Sequence, residues 1–255
     1  PAGHVRAAAA EMIVAFGAGP PAADVLAAPA AVGQTVSIPA GGTVGGALAV
    51  GNSDVTRLGH GPIRDVLLQT HYVSSAGKVV KAGGATVKNV SGFDLCRLLV
   101  GSRGTLGFLG DVILRTRPLA PTSRWYRSAT DPFELLSEVY RPVSILWNGA
   151  ETWIRLDGDD ADIESVAASF GLAAVTDVPV LPTPHRWSLP PSRLAELRDH
   201  EPGSFVAEIG VGVVHHHRPA PAVEVDTPTR QLHGRVKHEF DPAGRLNPGI
   251  DLLAL

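Results

Sequence analysis

The chain of 255 residues has one cysteine, Cys96, and only 5% aromatic residues. A single cysteine cannot form an internal disulfide, a cysteine-rich zinc site or an iron–sulfur cluster held by this chain alone. The lack of a disulfide framework fits a reducing compartment. We therefore expect a cytoplasmic protein.

The chain also lacks an excess of basic residues and long runs of apolar residues. The net charge is −3, and no basic run is present, which argues against a nucleic-acid-binding protein. No run of roughly 18 apolar residues or secretion signal appears, so we expect no direct membrane span, and any attachment at the inner face of the membrane would come through partners. With 44% apolar and 18% charged residues, the composition is that of a globular protein with one large or two modest domains.

Glycine, in contrast, is abundant, with 28 residues. Three glycines (Gly101, Gly104 and Gly107) lie between a predicted helix over 93–100 and a predicted strand over 108–117. Glycine costs backbone entropy in such positions, so this cluster favours a ligand that approaches the main chain closely.

A second glycine-rich stretch, residues 41–46, follows a strand candidate at 36–38 and precedes a helix predicted from residue 47. Such a loop offers unpaired amides to a pyrophosphate, and Thr43 adds a hydroxyl. It is not a P-loop, because no Lys-Ser/Thr pair follows the last glycine. The alternative interpretation is a flexible turn.

Gly17, Gly19 and Ala22 match the spacing of a Rossmann dinucleotide fingerprint. Two prolines, Pro20 and Pro21, remove amide donors from this turn, and no acidic residue about 20 positions later is available for a ribose. These two features argue against a Rossmann unit.

The order of several motifs points to a family. KNVSGFDLCRLLVGSRGTLGFLGDVILRTRPL (88–119) resembles the signature of FAD-linked oxidases of the vanillyl-alcohol oxidase type, and most of all that of the FAD-binding (E-type) subunit of bacterial glycolate oxidase. PAGGTVGG (39–46), AFGAG (15–19) and FDPAGRLNPG (240–249) agree with this resemblance. HxGDGNxH, a metal motif of larger relatives, is absent, and only about 20 residues separate Gly19 from the next glycine loop.

The resemblance implies an α+β fold, in which a PCMH-type FAD-binding domain of two α/β subdomains carries a small α+β cap domain. The implied boundaries are 1–121 for the FAD domain, 122–230 for the cap and 231–255 for a segment that returns to the FAD domain. FAD would bind noncovalently, and Asn247 would lie near its ring. The implied cofactor-binding residues are Gly17, Gly19, Gly41, Thr43, Val44, Gly45, Gly46, Asn52, Asn89, Gly92, Gly101, Gly104, Thr105, Gly107, Phe108 and Asn247.

The function implied is that of an FAD-dependent oxidoreductase acting on CH–OH groups: the FAD-binding subunit of a multi-subunit 2-hydroxy-acid (glycolate) dehydrogenase. Electrons would pass through the flavin to an iron–sulfur partner, and a larger FAD-linked subunit would hold the substrate. We assign no catalytic residue in this chain. Two alternatives stay open: a structural or assembly subunit with the same fold, and a free-standing FAD oxidase.

Four other features have simpler interpretations. We expect His60 to be a surface or capping residue and Cys96 a packed core thiol. The aspartates of 157–162 lack the calcium-loop order and are expected to cap a helix. The histidines of 215–217 are expected to be structural or flavin-facing rather than metal ligands, because neighbours on a strand point to opposite faces. The patterns also predict a helix over 1–12, a hairpin over 66–81, a helix over 191–199 and one strand over 205–217.

Overall fold

A computed structural model describes residues 6–85, 94–222 and 224–253 of the chain. The chain divides into two compact units. The first unit comprises residues 1–54, 62–119 and 223–255, and the second comprises residues 55–61 and 120–222. Each unit has a hydrophobic core of its own.

Strands and helices alternate along both units. The strands are β1 (Arg6–Ala8), β2 (Ile13–Gly17), β3 (Gln34–Thr35), β4 (Leu67–Val73), β5 (Val79–Gly83), β6 (Phe108–Arg115), β7 (Arg117–Pro118), β8 (Thr122–Ser128), β9 (Ser144–Trp147), β10 (Thr152–Gly158), β11 (Ala173–Val175), β12 (His185–Ser188), β13 (Phe205–Glu208) and β14 (Val213–His216). The α-helices are α1 (Ala22–Ala30), α2 (Val44–Val50), α3 (Arg57–His60), α4 (Leu95–Leu99), α5 (Pro132–Glu138), α6 (Asp160–Ser169) and α7 (Thr227–Phe240).

The first unit is built on a five-stranded antiparallel sheet of order β1-β2-β6-β4-β5. The β4–β5 hairpin and the β6 strand agree with the patterns in the sequence. The helix predicted over 1–12 is wrong within the described residues. There β1 is followed by a 3-10 turn that ends at Met12, whose φ is 55°, and β1 then pairs with β2. Alanine is the strongest helix former, but helix propensity is a weak preference, and here pairing along a sheet edge overrides it.

The strand candidate at 36–38 is also wrong. The strand lies two residues earlier, where Gln34 and Thr35 pair with Pro118 and Arg117. Val36 and Ile38 instead point into the core of the first unit. Alternating apolar side chains can be buried by an irregular segment as well as by a strand. The pattern therefore predicted correctly which residues are buried, but not which residues pair with another strand.

The second unit is a seven-stranded antiparallel sheet of order β11-β8-β10-β9-β13-β14-β12. Its main core includes Ile145 and Ile154, whereas their neighbours Leu146 and Trp153 belong to a smaller cluster. Successive residues of a strand point to opposite faces. The sheet therefore packs apolar side chains on both faces.

The single strand predicted over 205–217 is two strands. β13 and β14 form an antiparallel pair, with Phe205 opposite His216 and Glu208 opposite Val213. Gly210 (φ 78°) and Gly212 (φ 91°) take the left-handed conformations that let the chain reverse between them. Residues 191–199, predicted as an amphipathic helix, form a 3-10 helix.

Within the ranges that the structure describes, no helix combines the length and the apolar character needed to cross a membrane.

Cys96 packs in the core of the first unit, as expected, with 2% of its surface exposed and its Sγ 3.6 Å from the Leu68 carbonyl oxygen. Burial, and secondarily the negative charge of Asp94, raises the pKa of its thiol to about 11. The reactive form of a thiol is the thiolate.

We therefore expect the native protein at pH 8 to react with a disulfide reagent such as DTNB far more slowly than the protein in denaturant. The rate of thionitrobenzoate release measures this. Equal rates for native and denatured protein would contradict the buried placement of Cys96.

Candidate functional site

The turn after β2 and the glycine loop of 41–46 are joined by backbone hydrogen bonds. The Gly45 amide donates to the Ala18 carbonyl oxygen at 2.8 Å, and the Ala22 amide donates to the Gly42 carbonyl oxygen at 2.9 Å. A Cβ built on Gly45 would lie 2.8 Å from that same Ala18 oxygen. Two segments that the resemblance assigns to the cofactor thus form one surface, and Gly45 is required by their contact.

Thr43 caps the N-terminus of α2, which begins at Val44 rather than at residue 47. The Gly46 amide donates to Thr43 Oγ1 at 3.0 Å. A hydroxyl that accepts one hydrogen bond keeps its own hydrogen for a second partner. The preceding glycines, Gly41 and Gly42, have open space, since a Cβ on either would meet no atom within 4 Å.

The second glycine cluster lies at the other end of α2. The Gly101 amide donates to the Leu48 carbonyl oxygen at 2.9 Å, and the Arg103 amide donates to the Ala49 carbonyl oxygen at 2.7 Å. A Cβ on Gly51 would lie 3.2 Å from the Gly101 Cα, so the two backbones approach closely. Helix α2, whose seven residues span about 10 Å, therefore connects the two glycine clusters.

The C-terminal segment joins the second glycine cluster through Asn247 and Lys237. Asn247 Nδ2 donates to the Arg103 carbonyl oxygen at 2.6 Å. Lys237 Nζ donates to the carbonyl oxygens of Thr105 (2.9 Å) and Leu246 (2.8 Å). These bonds fix the segment that follows α7 against residues 103–105.

A buried carboxylate holds this arrangement. Asp241 Oδ2 lies 2.6 Å from Lys237 Nζ, and the same carboxylate accepts from the amides of Arg245 (2.9 Å) and Leu246 (2.7 Å). Burial by itself would raise the pKa of Asp241, but the hydrogen bonds from Lys237 and the two amides outweigh it and lower the pKa to about 2. Lys237 and Asp241, here called the Lys237–Asp241 clasp, form an ion pair in which the Asp241 carboxylate stays ionised at neutral pH.

The other predicted cofactor residues have mixed positions. Val44 is fully buried in the core, and the Asn52 amide ends α2 by donating to the Ala47 carbonyl oxygen. Gly107 lies against Tyr72, whose ring would be 2.4 Å from an added Cβ, so packing alone explains this glycine. Phe108 opens β6 with 69% of its surface exposed.

The remaining predictions concern five positions, and one of them is Gly104, on which a Cβ would lie 4.0 Å from Asn247 Nδ2. Gly17 ends β2, and a Cβ on it would lie 3.9 Å from Asp111 Oδ1, while Gly19 has open space around it. Asn89 and Gly92 lie outside the described residues.

A cavity of about 820 Å³ lies beside the second glycine cluster in the first unit. It is lined by Gly101, Ser102 and Thr105 on one side and by α7 and residues 250–253 on the other. Cavities of this size hold small organic ligands.

In the second unit, His60 is neither a surface residue nor a cap. Its Nε2 lies 3.4 Å from Asp157 Oδ2, and both side chains are 12% exposed. Asp157 also accepts from Ser123 Oγ at 2.7 Å and from Arg155 Nε at 2.9 Å. Burial opposes ionisation of Asp157, but these three donors depress its pKa strongly. Asp159 is the N-cap residue of α6, as the helix-capping interpretation expects, although its side chain makes no capping hydrogen bond.

The three consecutive histidines have separate surroundings. His215 Nε2 lies 2.9 Å from Glu208 Oε1, His216 stacks on Trp187 with ring centroids 4.3 Å apart, and the His217 ring contacts the Thr183 carbonyl oxygen. Among the residues that the structure describes, no group of three or more His, Cys, Asp or Glu side chains could hold a metal ion. Sequence reasoning missed Glu208 as a partner of His215, because a turn that could bring them together was read as continuous strand.

Comparison with known proteins gives several relatives in sequence. The chain is 33% identical to glycolate oxidase subunit GlcE of Escherichia coli over 136 residues, which are 51% of this chain and 39% of that protein. It is 40% identical to D-lactate dehydrogenase of Archaeoglobus fulgidus over 76 residues, and 34% identical to glycolate oxidase subunit GlcD of Bacillus subtilis over 82 residues. These alignments cover 30% and 32% of this chain, and 17% of each relative. The chain therefore spans well under half the length of these relatives. No protein-family model matches it.

Solved structures share the fold. Alkyldihydroxyacetonephosphate synthase superposes with a TM-score of 0.64 at 13% identity, over 94% of this chain and 63% of that chain. The BBE-like 1 protein of Physcomitrella patens superposes with a TM-score of 0.52 at 16% identity, over 68% of this chain and 41% of that chain. The resemblance to FAD-linked oxidases of the vanillyl-alcohol oxidase type and the α+β PCMH-type fold are confirmed.

The Lys237–Asp241 clasp predicts acid sensitivity. The folded-state pKa of Asp241 is about 2, below the roughly 3.9 of a free aspartate. Its contribution to stability is therefore complete above about pH 4 and is lost as the pH falls through about 2. We expect Asp241→Asn to lower the thermal midpoint at pH 7 by several degrees, with a difference from the parent protein that shrinks below pH 4.

Thermal unfolding of both proteins between pH 2 and pH 7 measures this. Asp251→Asn, which removes an exposed carboxylate 3.7 Å from Arg230, is the matched control and should change little. A difference between Asp241→Asn and the parent that persists unchanged at pH 2 would contradict the assignment.

Proposed function

We propose that this chain is an FAD-binding subunit of a multi-subunit oxidoreductase that acts on a short 2-hydroxy acid such as glycolate. The observation that carries the proposal is the attachment of two distant glycine clusters to the two ends of α2. The relatives support it, since two of them are named as glycolate oxidase subunits and another as a D-lactate dehydrogenase. In this proposal the first unit binds FAD and the second is the cap.

The residues present fit a flavin dinucleotide. Gly19, Gly41 and Gly42 leave the main chain open where a diphosphate needs close approach, and the Thr43 hydroxyl hydrogen is available to donate. Helix α2, about 10 Å long, begins at this loop and is bonded near its other end to Gly101 and Arg103, which suits an elongated ligand held at two places. Asn247, fixed on Arg103, stands at the second place.

Bound FAD supplies a two-electron acceptor for the C2 hydride of a hydroxy acid. The part of this chain in that chemistry is to bind and orient the cofactor. Its loops supply main-chain donors, and the Lys237–Asp241 clasp keeps Asn247 and residues 103–105 in place. In this proposal an iron–sulfur subunit would accept the electrons, since the one cysteine of this chain, Cys96, cannot hold a cluster by itself. A larger FAD-linked subunit completes the complex, and these partners would mediate any contact with the membrane.

One observation favours the alternative, an assembly subunit with the flavin fold but little chemistry. Two of the predicted cofactor glycines, Gly45 and Gly107, are accounted for by contacts with Ala18 and Tyr72. If the other glycines also served only packing, the fold would need no cofactor. FAD content separates the two functions.

We expect the purified protein to carry about one FAD per chain, seen as the visible flavin absorbance band. Gly41→Val should fold normally, because no atom lies within 4 Å of an added Cβ, but should lose most of its FAD, because a branched side chain would occupy the approach of the diphosphate. Flavin absorbance per protein, with circular dichroism to verify folding, measures both effects.

Ala27→Val is the matched control, since it adds a branched side chain at an exposed position of α1 and should keep its FAD. Gly45→Val is less informative, because its side chain would strike Ala18 and damage the loop itself. A colourless parent protein that takes up no FAD would favour the assembly subunit, and full FAD content in Gly41→Val would exclude this loop as the diphosphate site.

A further inference from the structure

Glu208 is a buried carboxylate of the second unit whose hydrogen bonding is incomplete. It ends β13 with only 2% of its surface exposed. One carboxylate oxygen, Oε1, lies 2.9 Å from His215 Nε2, but the other, Oε2, is buried and has no hydrogen-bond partner. A buried carboxylate oxygen without a donor is costly, so this oxygen favours a ligand that brings a donor to it.

Two arginines accompany this pair. Arg186 on β12 is the Cα partner of His215 on β14, so the two side chains lie on the same face of the sheet. Partial desolvation lowers the pKa of the Arg186 guanidinium. The Glu208 carboxylate opposes this shift, and the positive charge of Arg57 adds to it. Arg186 is therefore close enough to both Glu208 and Arg57 to interact with them electrostatically.

The charges of this group do not balance. Arg57 and Arg186 carry two positive charges, and Glu208 carries one negative charge. Neither arginine has an ion-pair partner within 4.0 Å in the part of the chain that the structure describes. The group is short of one negative charge, which a ligand anion would supply.

The donor missing at Glu208 Oε2 and the negative charge missing beside the arginines together define one class of ligand. We propose that Glu208, His215, Arg186 and Arg57 form a binding site for a small hydroxy carboxylate, whose hydroxyl donates to Glu208 Oε2 and whose carboxylate pairs with the arginines. An anion without a hydroxyl leaves Glu208 Oε2 unpaired, and an alcohol without a carboxylate leaves the arginines uncompensated. The inference rests on the proposed function in taking the ligand to be the 2-hydroxy acid, and it locates recognition of that acid on this chain, where sequence alone left it to the larger partner.

Isothermal titration of the full chain, with FAD content measured on the same samples, tests the site. The probes are glycolate, acetate, which lacks the hydroxyl, and ethylene glycol, which lacks the carboxylate. We expect glycolate to bind at least tenfold more tightly than acetate, because a hydrogen bond to a charged group is worth about that much. Ethylene glycol should not bind measurably. Equal affinities for glycolate and acetate, or no binding of glycolate, would overturn the proposal.

Three variants assign the contacts. Glu208→Gln should abolish the preference for glycolate over acetate, because it removes the charged acceptor of the hydroxyl. Acetate should bind at least as tightly as it does to the parent, since the substitution removes a negative charge beside the arginines. Arg186→Gln should weaken both acids by a similar factor, and Arg186→Lys should recover part of the loss. Arg193→Gln, which alters an exposed arginine paired with Glu196 in the same unit, is the control and should bind like the parent. A parent-like preference for glycolate over acetate in Glu208→Gln, together with parent-like glycolate affinity in Arg186→Gln, would show that the group is only structural.

The outcome is separable from the proposed function. FAD content depends on the first unit and should be the same in all these variants. A protein that holds FAD but does not bind glycolate refutes this site alone, whereas a protein that binds glycolate without FAD refutes the flavin function alone. Thermal unfolding of each variant verifies that loss of binding does not come from loss of the fold.

Discussion

The backbone hydrogen bonds at the two ends of α2 are the constraint on which the first unit depends. At its N-terminal end, Gly45 is bonded to the turn after β2, and at its C-terminal end the carbonyl oxygens of Leu48 and Ala49 receive the amides of Gly101 and Arg103. Free carbonyl groups at a helix end must find donors. Here the donors come from a loop more than 50 residues away in the sequence. The hydrogen bonds that complete the end of α2 therefore also fix the second glycine cluster in place.

The buried carboxylates of the two units differ in how completely they are hydrogen-bonded. In the first, Asp241 accepts from Lys237 and two amides, so that its charge is fully compensated. In the second, Asp157 is likewise surrounded by donors, whereas Glu208 keeps one oxygen unpaired. A fold tolerates such an oxygen when something other than stability selects it. Asp241 and Asp157 are surrounded by hydrogen-bond donors, whereas one oxygen of Glu208 has none. This contrast is the reason to regard Glu208 as functional.

The sequence was informative where a motif coincides with local structure. The hairpin over 66–81, the strand from Phe108 and the cap at Thr43 follow from alternation, turn residues and capping chemistry. It misled where pairing partners are distant. Alanines of β1 became a strand because β2 lies beside them, and the reversal at Gly210 and Gly212 was hidden in an apolar run. Contacts such as His60 with Asp157, 97 positions apart, or Lys237 with Thr105, 132 positions apart, leave no local pattern in the sequence.

The order of the segments along the chain has a consequence for biogenesis. Residues 105 and 237 of the first unit are joined by Lys237, and almost the whole second unit, residues 120–222, is translated between them. Closing so long a loop is slow and costs entropy. The clasp can offset that cost only after residue 241 has been synthesised. During synthesis the second unit can therefore fold before the first, whose glycine clusters are fixed in place only after residues 237–247 have been made. Cofactor binding would then have to wait for that segment.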